Sequence, residues 1–213
     1  MTGMDTLMRY FANPCGQRVI EAMQSGQLDY IDTPAQGNKR PDGVVWCADN
    51  GCYSDRWGEA RWWAFLEANA HQAATCLFAV APDVVGDAAA TLEKSGPWLP
   101  KIRALGYPVA LVAQDGLENL DVPWDEFDVL FIGGTTTWKL GPHARETVRE
   151  AKRRDKWVHM GRVNSERRWR YADAIGCDSV DGTYLTFGPD TNLPRLLAWT
   201  RNNDQLQLFQ ESQ

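Results

Sequence analysis

Val129-Leu130-Phe131-Ile132, followed by Gly133-Gly134, is a run of residues apolar on both faces. A strand with one wet face alternates apolar and polar residues, whereas a strand covered on both sides does not. Two other runs share the property, Val44-Val45-Trp46-Cys47-Ala48 and Leu77-Phe78-Ala79-Val80. Working outward from them, strand-length apolar runs recur near 7–11, 28–32, 44–48, 76–80, 108–112, 128–132, 157–161 and 178–181. Segments of helical character fall near 16–25, 57–70, 86–104, 140–155, 164–175 and 191–201. This alternation predicts a parallel sheet with helices packed outside it. Eight strands predict an α/β fold of the compact (β/α)8 TIM-like type, at its lower size limit of roughly 200 residues. A doubly wound open sheet is the alternative.

The chain has 213 residues, which predicts one domain: a barrel over 1–201 and a polar, frayed C-terminal tail over 202–213. Apolar content of 44% and charged content of 23% are those of an ordinary globular protein. The net charge of −6 excludes a generally polyanion-binding surface, so nucleic acid would need a local basic patch. No apolar run has the length of a signal-peptide core or a membrane span. The five cysteines are scattered without the spacing of a zinc knuckle, and the expectation is reduced thiols in a cytoplasmic protein.

Polar residues fall where the strands end. Asp49 follows 44–48, Asp83 follows 76–80, Gln114 follows 108–112, and Gly133-Gly134 follows 128–132. His159 lies in 157–161, which Gly161 closes, and Asp181 closes 178–181. In parallel strands these groups gather at one rim, where barrel enzymes keep their sites. Each has a plainer reading alone. Asp49-Asn50-Gly51 is a tight turn, Asp83 a helix cap, and Gln114-Asp115-Gly116 another turn. The glycine pair is a loop, His159 a core histidine, and Asp178 the partner of a neighbouring basic side chain. Their convergence points to a site.

The stretch Ile175-Gly176-Cys177-Asp178-Ser179-Val180-Asp181-Gly182-Thr183-Tyr184 places two acids three residues apart. Buried acids are expensive unless paired or catalytic, so a strand-end acid followed by Gly-Thr is a candidate nucleophile. Carboxylates and an amide can read the edge of a purine-like base. A further carboxylate beneath the sugar can attack the anomeric carbon, as in retaining two-carboxylate glycosyl chemistry.

The ordered set Asp49-x-Gly51-x-Tyr53, Pro82-Asp83, Gln114-x-Gly116, Gly133-Gly134, His159-x-Gly161 and Gly176-x-Asp178-x-x-Asp181 spans about residues 44–188. It resembles the tRNA-guanine transglycosylase (queuine tRNA-ribosyltransferase) family, and in type the small phage relatives that place 7-deazaguanines in DNA. The resemblance implies a pentosyltransferase that exchanges guanine for a 7-deazaguanine through a covalent aspartyl-glycosyl intermediate. Asp181 would be the nucleophile and Asp49 the acid/base. Asp83 and Gln114 would read the base edge, Gly133 and Gly134 would hold its carbonyl, and Tyr53 would stack on it. His159 and Asp178 would complete the substrate-binding set. No metal and no organic cofactor is implied.

The family's cysteine-rich zinc subdomain and its archaeal nucleic-acid-binding domains have no counterpart here, and Asn50 and Cys52 depart from the first motif. These departures favour DNA over tRNA and leave the base pocket intact. The expected partners are free guanine and 7-deazaguanine, a DNA (or tRNA) substrate, and a homodimer mate or partner subunit, with no membrane. The alternatives are a tRNA-specific enzyme, a base-releasing glycohydrolase, or a non-catalytic accessory protein that binds base or nucleic acid.

Ten basic residues between Arg145 and Arg170 bracket His159-Met160-Gly161-Arg162. Such runs are usually solvated helix faces. Arg162, Arg167 and Arg168 are the candidates for phosphates flanking the target nucleotide, with Trp138 or Trp169 to stack in the gap left by an unstacked base.

Overall fold

The computed structural model of the chain describes residues 7–53 and 57–210. Eight strands, β1 (Arg9–Ala12), β2 (Asp29–Asp32), β3 (Trp46–Ala48), β4 (Cys76–Val80), β5 (Val109–Ala113), β6 (Val129–Ile132), β7 (Trp157–Met160) and β8 (Ser179–Asp181), close into a barrel in sequence order. All neighbours are parallel, and β8 pairs back onto β1 with Tyr10 opposite Val180. The fold is a single-domain (β/α)8 barrel.

The pleat divides the apolar residues into two cores. Successive Cβ atoms point to opposite faces, so Phe11, Ile31, Phe78, Val112 and Phe131 pack with one another inside the barrel. Their chain neighbours Tyr10, Tyr30, Ala79, Leu111 and Ile132 pack outward. This is why the strands read as continuously apolar. Arg9 and Asp29, two residues before Phe11 and Ile31, also face inward. The Arg9 guanidinium grips both Asp29 oxygens at 2.5 and 2.6 Å near the amino ends of β1 and β2. Burial pushes the Asp29 carboxyl up from its ordinary range, and Arg9 opposes that shift.

The outer layer holds α1 (Gln17–Gln24), α2 (Glu59–Asn69), α3 (Ala88–Ser95), α4 (Trp98–Ala104), α5 (Thr136–Lys139), α6 (Pro142–Arg153), α7 (Glu166–Ala174) and α8 (Pro189–Gln210). The helix expected over 86–104 is two helices, because Gly96-Pro97 interrupts it and proline lacks the N–H the helical ladder needs. The helix expected over 140–155 starts at Pro142, a position that suits proline, after the separate turn α5. α8 continues to Gln210, so 202–210 is helical where the sequence predicted a frayed tail. No glycine or proline follows Pro194 to stop it. Among the described residues no helix is long and apolar enough to cross a membrane.

Candidate active site

A cleft opens at the carboxyl ends of the strands, the end at which barrel enzymes keep their sites. Its polar lining is Asp49, Asn50, Asp83, Gln114, Arg162 and Asp181, and Val80, Val112 and Phe131 supply apolar wall. Tyr53, Gly133 and Gly161 also border it. Six strand-end segments thus contribute, as parallel topology requires. Among the described residues, no lysine lines the cleft.

Asp83 stands just beyond β4 and is only 8% exposed. Gln114 Nε2 donates to its Oδ2 at 2.7 Å, and Asn50 Nδ2 donates to its Oδ1 at 2.9 Å. Asn50 also donates to the Ala81 carbonyl, while Gln114 Oε1 accepts from the Gly86 N–H. Burial raises the Asp83 carboxyl from its ordinary value, and the Asn50 and Gln114 bonds oppose this. Asn50, read from sequence only as a departure from a motif, is the brace that locks this carboxylate. Its signal was its position: the residue after a strand-end acid reaches the next strand's rim.

The Asp49-Asn50-Gly51-Cys52 turn is built by its own side chains. Asp49 Oδ1 accepts from Gly51 N–H at 2.8 Å, Asn50 Oδ1 accepts from Cys52 N–H at 2.6 Å, and Gly51 takes a φ of 73°. The tight turn of the plainer reading is therefore present, and it places Asp49 in the lining of the cleft. The Asp49 carboxyl is pushed up to about 7, chiefly by burial. The Gly51 N–H opposes the rise, and the charges of Asp181 and Asp83 add to it.

Asp181 ends β8 and accepts two bonds. His159 Nε2 lies 2.9 Å from its Oδ2, and the Arg162 backbone N–H donates to its Oδ1 at 3.1 Å. The His159 ring is fully buried among Phe11, Phe78 and Phe131. Its Nδ1 lies 2.9 Å from Ser179 Oγ, which accepts from Trp157 Nε1–H at 2.8 Å. A carboxylate can only accept, so Nε2 carries hydrogen in the arrangement that satisfies every group with a neutral ring. The chain of donors then runs Trp157 Nε1–H to Ser179 Oγ, Ser179 O–H to His159 Nδ1, and His159 Nε2–H to Asp181. His159 is thus the core histidine of the plainer reading: it bonds Asp181 but does not line the cleft, so it is not placed to touch a substrate. Ser179 and Trp157 were missed because their roles depend on register across β7 and β8, where His159 lies opposite Ser179.

The glycine pair does something other than expected. The N–H groups of Gly133 and Gly134 both donate to the Ala113 carbonyl, at 3.0 and 3.2 Å, so neither points at a ligand. Glycine is required for close packing: a Cβ on Gly133 would meet Val112 Cγ1 at 2.5 Å, and one on Gly134 would meet the Trp138 ring at 2.4 Å. Their carbonyls instead accept from Arg162 Nη2. The Arg162 guanidinium also sits 5.0 Å from the centre of the Tyr53 ring, which is 72% exposed at the cleft mouth.

Asp178 is not in the cleft. It precedes β8 at the opposite end of the barrel, accepts from Val158 N–H at 2.7 Å, and pairs with Lys152 at 2.7 and 2.8 Å. Its partner is the neighbouring basic side chain that the plainer reading required. Three residues of strand translate a side chain by about 10 Å, which separates the two acids along the barrel axis. Trp138 and Trp169 are buried in the outer core, so neither is placed to stack on a base.

Half of the ten basic residues are ion-paired on α6 and α7. Arg149 pairs with Glu146, Arg153 and Arg154 pair with Glu150, and Arg170 pairs with Glu166. Arg167 is exposed in the first turn of α7. Arg168 Nη1 donates to the Arg162 carbonyl at 3.2 Å. Among the described residues, no group of three or more His, Cys, Asp or Glu side chains is placed to hold a metal.

Gly182, after Asp181, admits no side chain. A Cβ there would lie 2.3 Å from Asn164 Oδ1, 2.5 Å from the Val163 carbonyl and 2.6 Å from Tyr10 Oη. Asp181 is tied to the same segment, because Val163 N–H donates to its carbonyl at 2.6 Å. Gly182→Ala is expected to cost about 1–3 kcal/mol of stability and to displace Asp181. Denaturant unfolding of the variant, with ligand binding to the folded fraction, checks both effects.

No protein-family model and no curated protein sequence matches the chain. Solved structures do match its fold. Dihydrodipicolinate synthase from Bacillus clausii superposes with a TM-score of 0.56 at 12% identity, over 96% of this chain and 78% of that one. A native KDPGal structure superposes with a TM-score of 0.53 at 11% identity, over 85% and 84%. At such identities the likeness concerns the barrel alone.

Proposed function

We propose that the protein is a base-exchange transglycosylase that replaces guanine with a 7-deazaguanine in a polynucleotide, with DNA as the favoured polymer. The observation that carries this reading is one cleft holding two carboxylates in unlike environments beside a braced Asp83–Gln114 pair. Asp49, pushed up to about 7, can hold or release a proton at neutral pH. Asp181 is held by two donors beneath it, and the ordered sequence motifs supply the family resemblance. With no lysine among the described residues of the cleft, covalent chemistry there falls to a carboxylate rather than to an amine–carbonyl adduct.

In the first step an Asp181 oxygen bonds to the anomeric carbon. The bond from that carbon to the base nitrogen breaks, its electron pair goes to the guanine ring, and Asp49 supplies a proton. In the second step Asp49 takes the ring proton of the incoming 7-deazaguanine, whose nitrogen attacks the anomeric carbon and releases Asp181. Every proton is returned and the sugar configuration is retained. Asp83 accepts from base N–H groups. Gln114, whose amide already bridges Asp83 and Gly86, sets that acceptor's orientation. Arg162 and Tyr53 close the mouth, and Arg167 is the exposed basic residue nearest in sequence for a flanking phosphate.

The test is incorporation of labelled guanine, and of 7-cyano-7-deazaguanine, into DNA and tRNA. Incorporation into DNA supports the reading as stated, and incorporation into tRNA alone moves the substrate. Abasic sites without incorporation make the protein a glycohydrolase. Base binding with neither product makes it an accessory protein.

A further inference from the structure

Lys139, in α5 behind the cleft, is 1% exposed, and its Nζ donates to the Gly161 carbonyl at 2.5 Å. A buried ammonium is expensive against an apolar residue of similar shape. Gly161 C=O and Arg162 N–H belong to one peptide unit, and that N–H is the donor to Asp181 Oδ1. Arg162 itself has a φ of 61°, the left-handed region, which is strained for a residue with a Cβ. Its carbonyl is held in turn by Arg168 Nη1. Two basic side chains thus hold the carbonyls on either side of one strained residue, whose N–H contacts the candidate nucleophile. Strain of this kind persists only where the surroundings over-determine it.

We propose that Lys139 and Arg168 are positioning residues that clamp the Arg162 backbone, so that its N–H fixes the attacking geometry of Asp181. Polarisation adds to position: a donor on the carbonyl strengthens the N–H of the same peptide as a donor. The charged groups facing Lys139 are Arg162, Arg168 and Asp181, with the buried Cys177 thiol. Burial, the largest cause, and then Arg162 bring the Lys139 amine down to about 7. The catalytic part of this assignment rests on the proposed transglycosylase reading, whereas the clamp does not.

The test reads the two parts separately. In Lys139→Met, hydrogen exchange at the Arg162 amide, followed by NMR, is expected to accelerate about 10-fold while strand amides such as Val158 are unchanged. In base exchange, kcat is expected to fall about 10-fold or more with KM for the free base unaltered. Arg168→Met, altered at a half-buried position, is expected to move the same amide in the same direction and serves if the lysine variant does not fold. Unchanged exchange at Arg162 in the folded variant overturns the clamp. A loosened Arg162 amide with undiminished kcat overturns its role in positioning Asp181. If the wild-type protein exchanges no base, the transglycosylase reading fails with it, and the amide measurement still decides the clamp.

Discussion

Asp181→Asn is expected to bind free guanine as the wild-type protein does and to exchange it at least about 10⁴-fold more slowly, the scale of losing a covalent nucleophile. The substitution is well suited to the test because the site can accept an amide. The Oδ1 of the introduced asparagine can take the Arg162 N–H, and its NH2 can donate to His159 Nε2. His159 then shifts its hydrogen to Nδ1, facing Ser179 Oγ, which remains an acceptor. The asparagine and both imidazole nitrogens keep partners and only the Ser179 O–H loses its acceptor, so the expected loss of stability is about 1–3 kcal/mol. A folded protein that binds base and does not exchange it isolates the chemical role of the carboxylate. Calorimetric binding of guanine alongside label incorporation makes the measurement, and retained exchange would move the nucleophile elsewhere.

Asp49→Asn is expected to gain stability as it loses activity. In the folded protein Asp49 titrates near 7, whereas in the unfolded chain it titrates near the ordinary value of about 3.9. Between those values the folded state holds a proton that the unfolded state has released. Wild-type stability therefore falls as pH rises from about 4 to about 7, and this contribution is constant above that. Asparagine cannot ionise and escapes the loss, so at pH 8 the variant is expected to be more stable by about 2–4 kcal/mol. At pH 4 the difference closes. Base exchange is expected to fall about 10²–10⁴-fold, the usual contribution of a general acid/base. In the wild type, glycosylation of Asp181 needs Asp49 protonated and should slow above pH 7, whereas the return step needs it ionised and should slow below. Urea titrations at pH 4 and pH 8, with single-turnover rates across that range, check both halves.

The barrel was legible because parallel strands buried on two faces cannot alternate, so runs such as Val129–Ile132 declared themselves. The rim was legible for a related reason: parallel topology sends every strand's carboxyl end the same way, and Asp49, Asp83, Gln114 and Asp181 all line the cleft. What sequence reading lost were properties of the third dimension. Asp178 was read as a substrate-binding companion of the Asp181 nucleophile, yet β8 begins at Ser179, which leaves Asp178 at the far end with Lys152. Gly133 and Gly134 suggested donors to a ligand, yet their N–H groups converge on Ala113, because loop direction is set by packing against β5. Lys139 gave no signal at all. A lysine in a polar turn reads as surface, and only the fold places it beneath Gly161.

The most direct measurement is capture of the covalent intermediate: incubation with guanine-containing DNA without free exchanging base, denaturation, and peptide mass spectrometry of any protein–DNA adduct. An adduct is expected on the peptide containing Asp181, absent from Asp181→Asn and discharged by added 7-deazaguanine. An adduct on another residue, or guanine release with no adduct, would contradict that expectation.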